Sequence, residues 1–209
     1  MNQNTNNAVL SLIALAALAL PASAAITSTS GGVTQIAPPP ACGPGALTSL
    51  FQAFAWDEQQ GVTSTGTVCD EINNPGSSVA PLLGVIAGTF DSHFIHFEPT
   101  PGVVATTGTV TFASAIRGVI FRAGFLDVSD APYGAFGTIY PTGFPQRGVS
   151  NFPASNFSVV GNTLNFTFFY PVGSGDVMQL RILTDAVPAP GALGAFGLAG
   201  VLAARRRRR

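Results

Sequence analysis

The sequence predicts an all-β fold, an antiparallel β-sandwich for which a jelly-roll topology is one available form. Thr, Val, Ile and Phe are abundant, and Gly, Pro, Asn and Asp recur at short intervals, which is typical of short strands joined by turns. Two segments, Thr107–Phe112 and Thr163–Phe168, alternate strictly between polar and apolar residues. Such alternation indicates strands with one face buried and one face in water.

About nine strands are predicted along the chain, separated by turn signals such as Asn73-Asn74-Pro75-Gly76. The dipeptide Gly161-Asn162 lies between two alternating runs and predicts a two-residue hairpin. We expect the sandwich to span residues 41–186, after a loose arm rich in Ser, Thr, Gly and Pro at residues 25–40. The predicted strands are Leu50–Trp56, Gly84–Phe90, His93–Glu98, Thr107–Phe112, Gly118–Phe121, Gly137–Tyr140, Phe157–Val160, Thr163–Phe168 and Met178–Leu183.

The amino terminus has the pattern of a cleavable secretory signal helix. The stretch Ala8–Leu20 is apolar except for Ser11, and it is followed by Ala22-Ser23-Ala24. Small residues at Ala22 and Ala24 fit the small-x-small rule of signal cleavage. The sequence therefore predicts a signal peptide over residues 1–24.

The carboxyl terminus combines a short motif, an apolar run and a basic cluster. Val187, Pro188, Ala189 and Pro190 precede an apolar, Gly-rich segment at 191–204, which would measure about 21 Å as a helix. A comfortable bilayer span needs about 20 apolar residues, so this segment suits a short and transient membrane insertion. Positive residues beside an apolar segment stay cytoplasmic, which sets its orientation. The basic cluster consists of Arg205, Arg206, Arg207, Arg208 and Arg209.

These terminal features resemble the PEP-CTERM class of exported bacterial proteins, with Ala189 at the place of the glutamate that names the class. The resemblance implies that residues 187–209 are a sorting signal read by an exosortase-type membrane processing enzyme, after passage through the secretion translocon. It also implies a final location at the cell surface or outside the cell, with exopolysaccharide as a partner. Blocks such as Ala53–Val62 and Gly108–Phe112 resemble uncharacterised members of the class.

Charge and cysteine content agree with export. Between Ile26 and Ala186 four arginines face ten carboxylates, a formal charge of −6, and no lysine is present. Such a domain has no basic patch for a phosphate backbone, which excludes nucleic-acid binding. Cys42 and Cys69 are the chain's two cysteines. In an oxidising compartment we expect a disulfide between them, stabilising by about 3–4 kcal/mol.

The sequence contains no evident catalytic constellation, and we predict neither an enzyme nor a cofactor. In a strand His93 and His96 would point to opposite faces, each bonded to a neighbouring carboxylate or carbonyl. His96 and Glu98 would share a face, but a zinc site needs a third ligand. A Gly-x-Ser-x-Gly elbow is absent from the sequence. A hydrolase using His96 and Glu98 is therefore the weakest alternative.

Two further patterns support a binding module as the main alternative to a non-enzymatic surface or matrix protein. Asp127 and Asp130 could supply loop oxygens to calcium, although the chain lacks a recognised calcium loop. Spaced aromatic residues in a Gly- and Pro-rich stretch could stack on sugar rings or anchor a long loop. These aromatic residues are Phe136, Tyr140, Phe144 and Phe152.

Overall fold

The computed structural model describes residues 26–100, 105–149, 154–170 and 175–187, which belong to one compact all-β unit. The predicted signal peptide and most of the predicted sorting signal, from Pro188 onward, lie outside the described residues. Within these described ranges, eleven strands and one helix follow one another. Their bounds are β1 Ile26–Gly31, β2 Val33–Gln35, β3 Ala53–Asp57, β4 Val62–Cys69, β5 Gly76–Ser77, β6 Gly84–Phe97, β7 Ala105–Phe112, β8 Ile116–Ile120, α1 Ala123–Tyr133, β9 Asn156–Val160, β10 Thr163–Phe169 and β11 Met178–Asp185.

The first sheet is antiparallel and has the strand order β1-β7-β10-β9-β5. Its alternating sequences explain its shape, because every second side chain of β7 and β10 is buried and the others reach solvent. On the solvent face, the hydroxyl of Thr109 donates to Asn165 across the strands. The hairpin predicted at Gly161-Asn162 is confirmed, with Val160 opposite Thr163.

The second sheet has the order β2-β3-β6-β11-β8, and β4 pairs with the first half of β6. Its pairs are antiparallel except for β2 and β3. The segment Phe90–Phe97 of β6 is continuously buried, as is Met178–Thr184 of β11. Both faces of this sheet are therefore covered along these two segments, whereas β4 and the first half of β6 are largely exposed.

One face of the second sheet packs against the first sheet. Their common core contains Ile95 and Phe97 of β6, Leu180 of β11, and Phe166 and Phe168 of β10. The rings of Phe97 and Phe168 stack across the layers with centroids 6.2 Å apart. This two-sheet arrangement is compatible with the predicted β-sandwich.

The prediction of a loose arm at residues 25–40 is wrong. Ile26–Gly31 pairs with β7, and Val33–Gln35 pairs with β3, so the folded domain includes residues well before position 41. In β1 the Thr and Ser residues are exposed or partly exposed, and only Ile26 is buried, a composition that suits an edge strand as well as a loop. The predicted strand at Gly137–Tyr140 is also wrong, because only an isolated bridge forms there, at Ile139.

Helix α1 covers the other face of the second sheet, and no helix is predicted there from the sequence. Its local signals are weak: it contains Pro132, and the side chain of its N-cap residue, Arg122, makes no capping hydrogen bond. Leu126 and Tyr133 bury it against Trp56 and its neighbours, so tertiary contacts hold the helix in place. Within the described ranges, no helix combines the length and apolar character needed to cross a membrane.

Candidate functional site

The most unusual chemistry of the domain lies in the layer between the second sheet and α1. In β11 the apolar side chains of Met178, Leu180 and Ile182 face the other sheet, so the alternate residues Gln179 and Arg181 face α1. Both polar side chains are completely buried. A buried charge is tolerated when it is paired and hydrogen-bonded, and the surrounding residues meet that requirement.

Arg181 is bound by two carboxylates. Its Nε and Nη2 donate to the two oxygens of Glu58 at 2.7 and 2.9 Å, a bidentate pair in which both side chains are inaccessible to solvent. Nη2 also donates to Asp130 at 3.2 Å, and Nη1 donates to Ser129 at 2.5 Å. The guanidinium lies 5.0 Å from the ring centroid of Phe94, within the range of a cation–π contact. Burial alone would lower the pKa of Arg181, but Glu58 and Asp130 raise it overall.

Asp130 joins this pair to a second buried arginine. Arg147 Nη1 donates to Asp130 at 2.6 Å and to Asp127 at 2.9 Å, while its Nε donates to Gln179 at 2.9 Å. Asp127 and Asp130 lie one turn apart on α1, so the two arginines hold the helix against the sheet. We call Glu58, Asp127, Asp130, Arg147 and Arg181 the ionic cluster.

A neutral hydrogen-bond chain continues from the ionic cluster. Gln179 Oε1 accepts from Arg147, and its Nε2 lies 3.1 Å from Nδ1 of His96, which must therefore accept. Nε2 of His96 then donates to the carbonyl of Leu47 at 3.2 Å. Burial lowers the pKa of His96 to about 4, so the ring is neutral at physiological pH.

Glu58 has its remaining acceptor sites filled by hydroxyl groups. Ser92 donates to Oε2 at 2.6 Å, and Tyr140 donates to Oε1. Burial and the adjacent Glu58 raise the pKa of Tyr140 and keep the phenol protonated. The carboxylate is therefore saturated by Arg181, Ser92 and Tyr140, and its chemistry here is structural.

The predicted behaviour of the histidines is confirmed. His93 faces the first sheet, where its ring packs on Phe112 and its Nδ1 contacts Asp57 at 2.7 Å. His96 faces the opposite way and bonds to a carbonyl. His96 and Glu98 do share a side, but their nearest atoms are 3.9 Å apart.

Asp127 and Asp130, the calcium candidates, lie on a helix and not on the loop that was expected. The structure does bring them together, but it aims oxygens of both at the guanidinium of Arg147. Thr142 donates to Oδ2 of Asp130, which also accepts from Arg147, and the backbone N–H of Gly143 donates to the second oxygen of Asp127. Among the described residues, no group of three or more His, Cys, Asp or Glu is placed to hold a metal ion.

The predicted disulfide between Cys42 and Cys69 is wrong, because both cysteines are free and buried. Cys42 lies beside Gln179. Cys69 lies directly against Gly118, so close that a Cβ added to this glycine would meet the sulfur. Gly118 pairs with Leu183 of β11. Positions 179 and 183 are roughly 13 Å apart in an extended strand, which is beyond the reach of a disulfide. Burial raises the pKa of each thiol to about 12.

The aromatic residues proposed as a sugar platform do not share one surface. Tyr140 points inward, with its ring against Phe94, and Phe144 is partly buried. Phe136 is 99 % exposed, whereas Phe152 lies outside the described residues. The predicted loop-anchoring role is therefore the better description of Tyr140.

A groove separates β4 from α1 and encloses about 580 Å³. Val62 and Val68 line it on β4, and Phe125, Val128 and Pro132 line it on α1. Tyr133 closes it with a hydroxyl 2.5 Å from that of Thr67. The groove is a concave surface with the size of a small-molecule site.

Sequence reasoning missed Arg147, Arg181 and Gln179 as interior residues. Polar residues that alternate with apolar ones in a strand normally face water, and the segment 178–183 has that pattern. One signal was present in the composition. The predicted domain has four arginines and ten carboxylates, so each arginine has an excess of possible carboxylate partners. Comparisons with protein-family models, with curated proteins and with solved structures found no match.

Proposed function

We propose that the chain is an exported bacterial protein of the cell surface or extracellular matrix, with a non-enzymatic β domain. A signal helix at 1–24 directs it through the secretion translocon. A sorting helix in 187–209 then inserts transiently in the inner membrane, where an exosortase-type enzyme processes the chain. The product is released to the surface or beyond, in contact with exopolysaccharide.

The observation that carries this proposal is the sequence of residues 187–209, in which a Val-Pro-Ala-Pro motif, an apolar segment and a cluster of arginines follow one another. The position of the motif in the chain also supports it. The last described strand ends at Asp185, and Val187, the first residue of the motif, is bonded through its N–H to Asp91 at 2.8 Å. A motif that follows the last strand so directly is consistent with a processing site between the folded domain and the tail.

The absence of catalysis in this proposal is supported by how the domain uses its reactive groups. Glu58 and Asp130 neutralise buried arginines, and His93 and His96 are each bonded to structural partners. A general acid or base must reach a substrate proton within hydrogen-bond distance. Glu58 and His96 are buried on the side of the second sheet that α1 covers, and His93 is buried between the two sheets, so none of them offers that access.

Processing can be tested by the intact mass of the protein recovered from its native host, with surface and medium fractions kept separate. The proposal expects a chain that starts at Ala25 and ends near Pro188. Replacing Pro188 and Pro190 by Ala should leave the tail attached, whereas Pro38→Ala, an exposed proline of the domain, should be processed normally. A wild-type mass that still includes Arg209 would contradict sorting and would identify the tail as a permanent anchor.

Exposed Phe136 supports one alternative, a carbohydrate-binding adhesion module. Calorimetric titration with exopolysaccharide of the host would show heat that Phe136→Ala abolishes. The calcium version of this alternative is disfavoured by the guanidinium of Arg147 between Asp127 and Asp130. A flat titration with the polysaccharide would eliminate the adhesion module.

A further inference from the structure

We propose that the groove between β4 and α1 binds an uncharged aliphatic molecule that carries one oxygen acceptor, such as a long-chain alcohol or its ester. This inference goes beyond the exported-protein proposal, and neither depends on the other. The groove volume of about 580 Å³ lies within the usual range of small-molecule sites, which is roughly 300–1,000 Å³.

The walls of the groove determine the charge of its ligand. None of the described residues lining it is Asp, Glu, Lys, Arg or His, although the surrounding domain is acidic. Val62, Val68 and Val128 present aliphatic surface, and Val128 is 70 % exposed. A charged ligand would lose hydration without gaining a counter-charge, so a neutral aliphatic body is favoured.

The floor of the groove determines the ligand's polar group. The hydroxyls of Ser64 and Thr67 are 2.8 Å apart, and that of Thr67 is 2.5 Å from Tyr133. Ser64 also accepts from the N–H of Gly66 at 3.1 Å. Three hydroxyl groups share two hydrogen bonds, which leaves one O–H proton for an outside acceptor.

Two other lining residues carry hydroxyls, and both hydroxyls already have partners. That of Thr63 lies 3.1 Å from the hydroxyl of Thr89. Ser129 donates to the carbonyl of Leu126 at 2.9 Å and accepts from Arg181. A sugar, with a hydroxyl on most of its carbons, would therefore leave most of its polar groups unpaired in this groove. One oxygen on an aliphatic body matches the single proton that the floor supplies.

The test is photolabelling of the purified full-length protein with octanol that bears a diazirine, followed by location of the labelled residues by peptide mass spectrometry. We expect labels on Val62–Val68 and Gly124–Tyr133. Unlabelled octanol should compete, whereas octanoate and glucose at the same concentration should not. Because labels are mapped by residue, any probe that enters the apolar tail is counted separately.

Two substitutions with matched controls make the test specific. Val128→Glu should reduce groove labelling at least tenfold, whereas Val160→Glu, at a similarly exposed valine of the other sheet, should leave it within twofold. Gly124→Leu should block the groove without disturbing the fold, because a Cβ at Gly124 meets nothing within 4 Å, and Gly124→Ala is its control. Circular dichroism checks that each variant is folded.

Labels spread along the domain, equal competition by octanoate, or groove labelling that survives both Val128→Glu and Gly124→Leu would overturn the proposal. Because the assay uses purified protein, its outcome is independent of whether the chain is exported and processed.

Discussion

Replacing Arg181 by Met tests whether the ionic cluster holds the second sheet and α1 together. The change removes a buried guanidinium while keeping an apolar chain of similar length. It leaves the carboxylate of Glu58 buried without a counter-charge, and breaking a buried pair in this way costs about 3–5 kcal/mol. Ser92 and Tyr140 still donate to Glu58, and Arg147 still binds Asp130, so we expect a loss near the lower limit, about 3 kcal/mol.

The loss can be measured by urea unfolding followed through the fluorescence of Trp56, the chain's single tryptophan, which is fully buried next to Phe94. For a domain of this size the expected decrease in Tm is roughly 6–12 °C. Adding Glu58→Gln to Arg181→Met removes the unpaired charge and should recover roughly 1–3 kcal/mol. The control is Arg117→Met, because Arg117 and Asp185 form an exposed pair worth less than about 1 kcal/mol. Equal losses from the two arginine variants would refute a structural role for the cluster.

Three further predictions concern single residues. Burial lowers the pKa of His96 to about 4, below the roughly 6.5 of an unfolded histidine, so its contribution to stability is present above pH 6.5 and is lost as the pH falls towards 4. Its NMR ring signals should stay constant from pH 8 to pH 5, and a midpoint near 6.5 would contradict its burial. Burial raises the pKa of Cys42 and Cys69 to about 12, so neither thiol should react with a disulfide reagent at pH 8 while the protein is folded. Both should react once urea exposes them. If they do not react in urea without reductant, the two cysteines are joined by a disulfide. Gly124→Ala should stabilise the protein by about 0.5–1 kcal/mol, since it lies in α1 with free space around it, whereas Gly161→Ala should destabilise by about 1–2 kcal/mol, since its φ is +63°. Effects of the same sign in urea unfolding would show that one of these backbone assignments is wrong.

The sequence predicted the strands well where one face of a sheet meets water. In β7 and β10 polar and apolar residues alternate, and the register across Gly161-Asn162 follows from a two-residue turn. Alternation works here because the exposed face has no second layer to complicate it.

Prediction failed where the second face of a sheet is covered. Arg181 and Gln179 have the spacing of solvent-facing residues, and only the placement of α1 over them makes them interior. That helix has poor local signals, including Pro132, and depends on contacts with residues distant in sequence. The disulfide prediction failed for a related reason. The number of residues between Cys42 and Cys69 does not reveal that the fold places them near different positions of β11. Tertiary placement, which pattern alone does not contain, decides all of these features.

The two ends of the described domain are fastened to adjacent strands. The N–H of Ile26 donates to Asp57, which contacts His93 of β6, and the N–H of Val187 donates to Asp91 of the same strand. Positions 91 and 93 are roughly 7 Å apart along that strand. A short linker could therefore join the ends, with new termini opened at the exposed turn around Gly143, and both sheets would keep every pairing. The two ends of the described domain thus lie close enough to be joined, and a circularly permuted form should retain the ionic cluster and the groove.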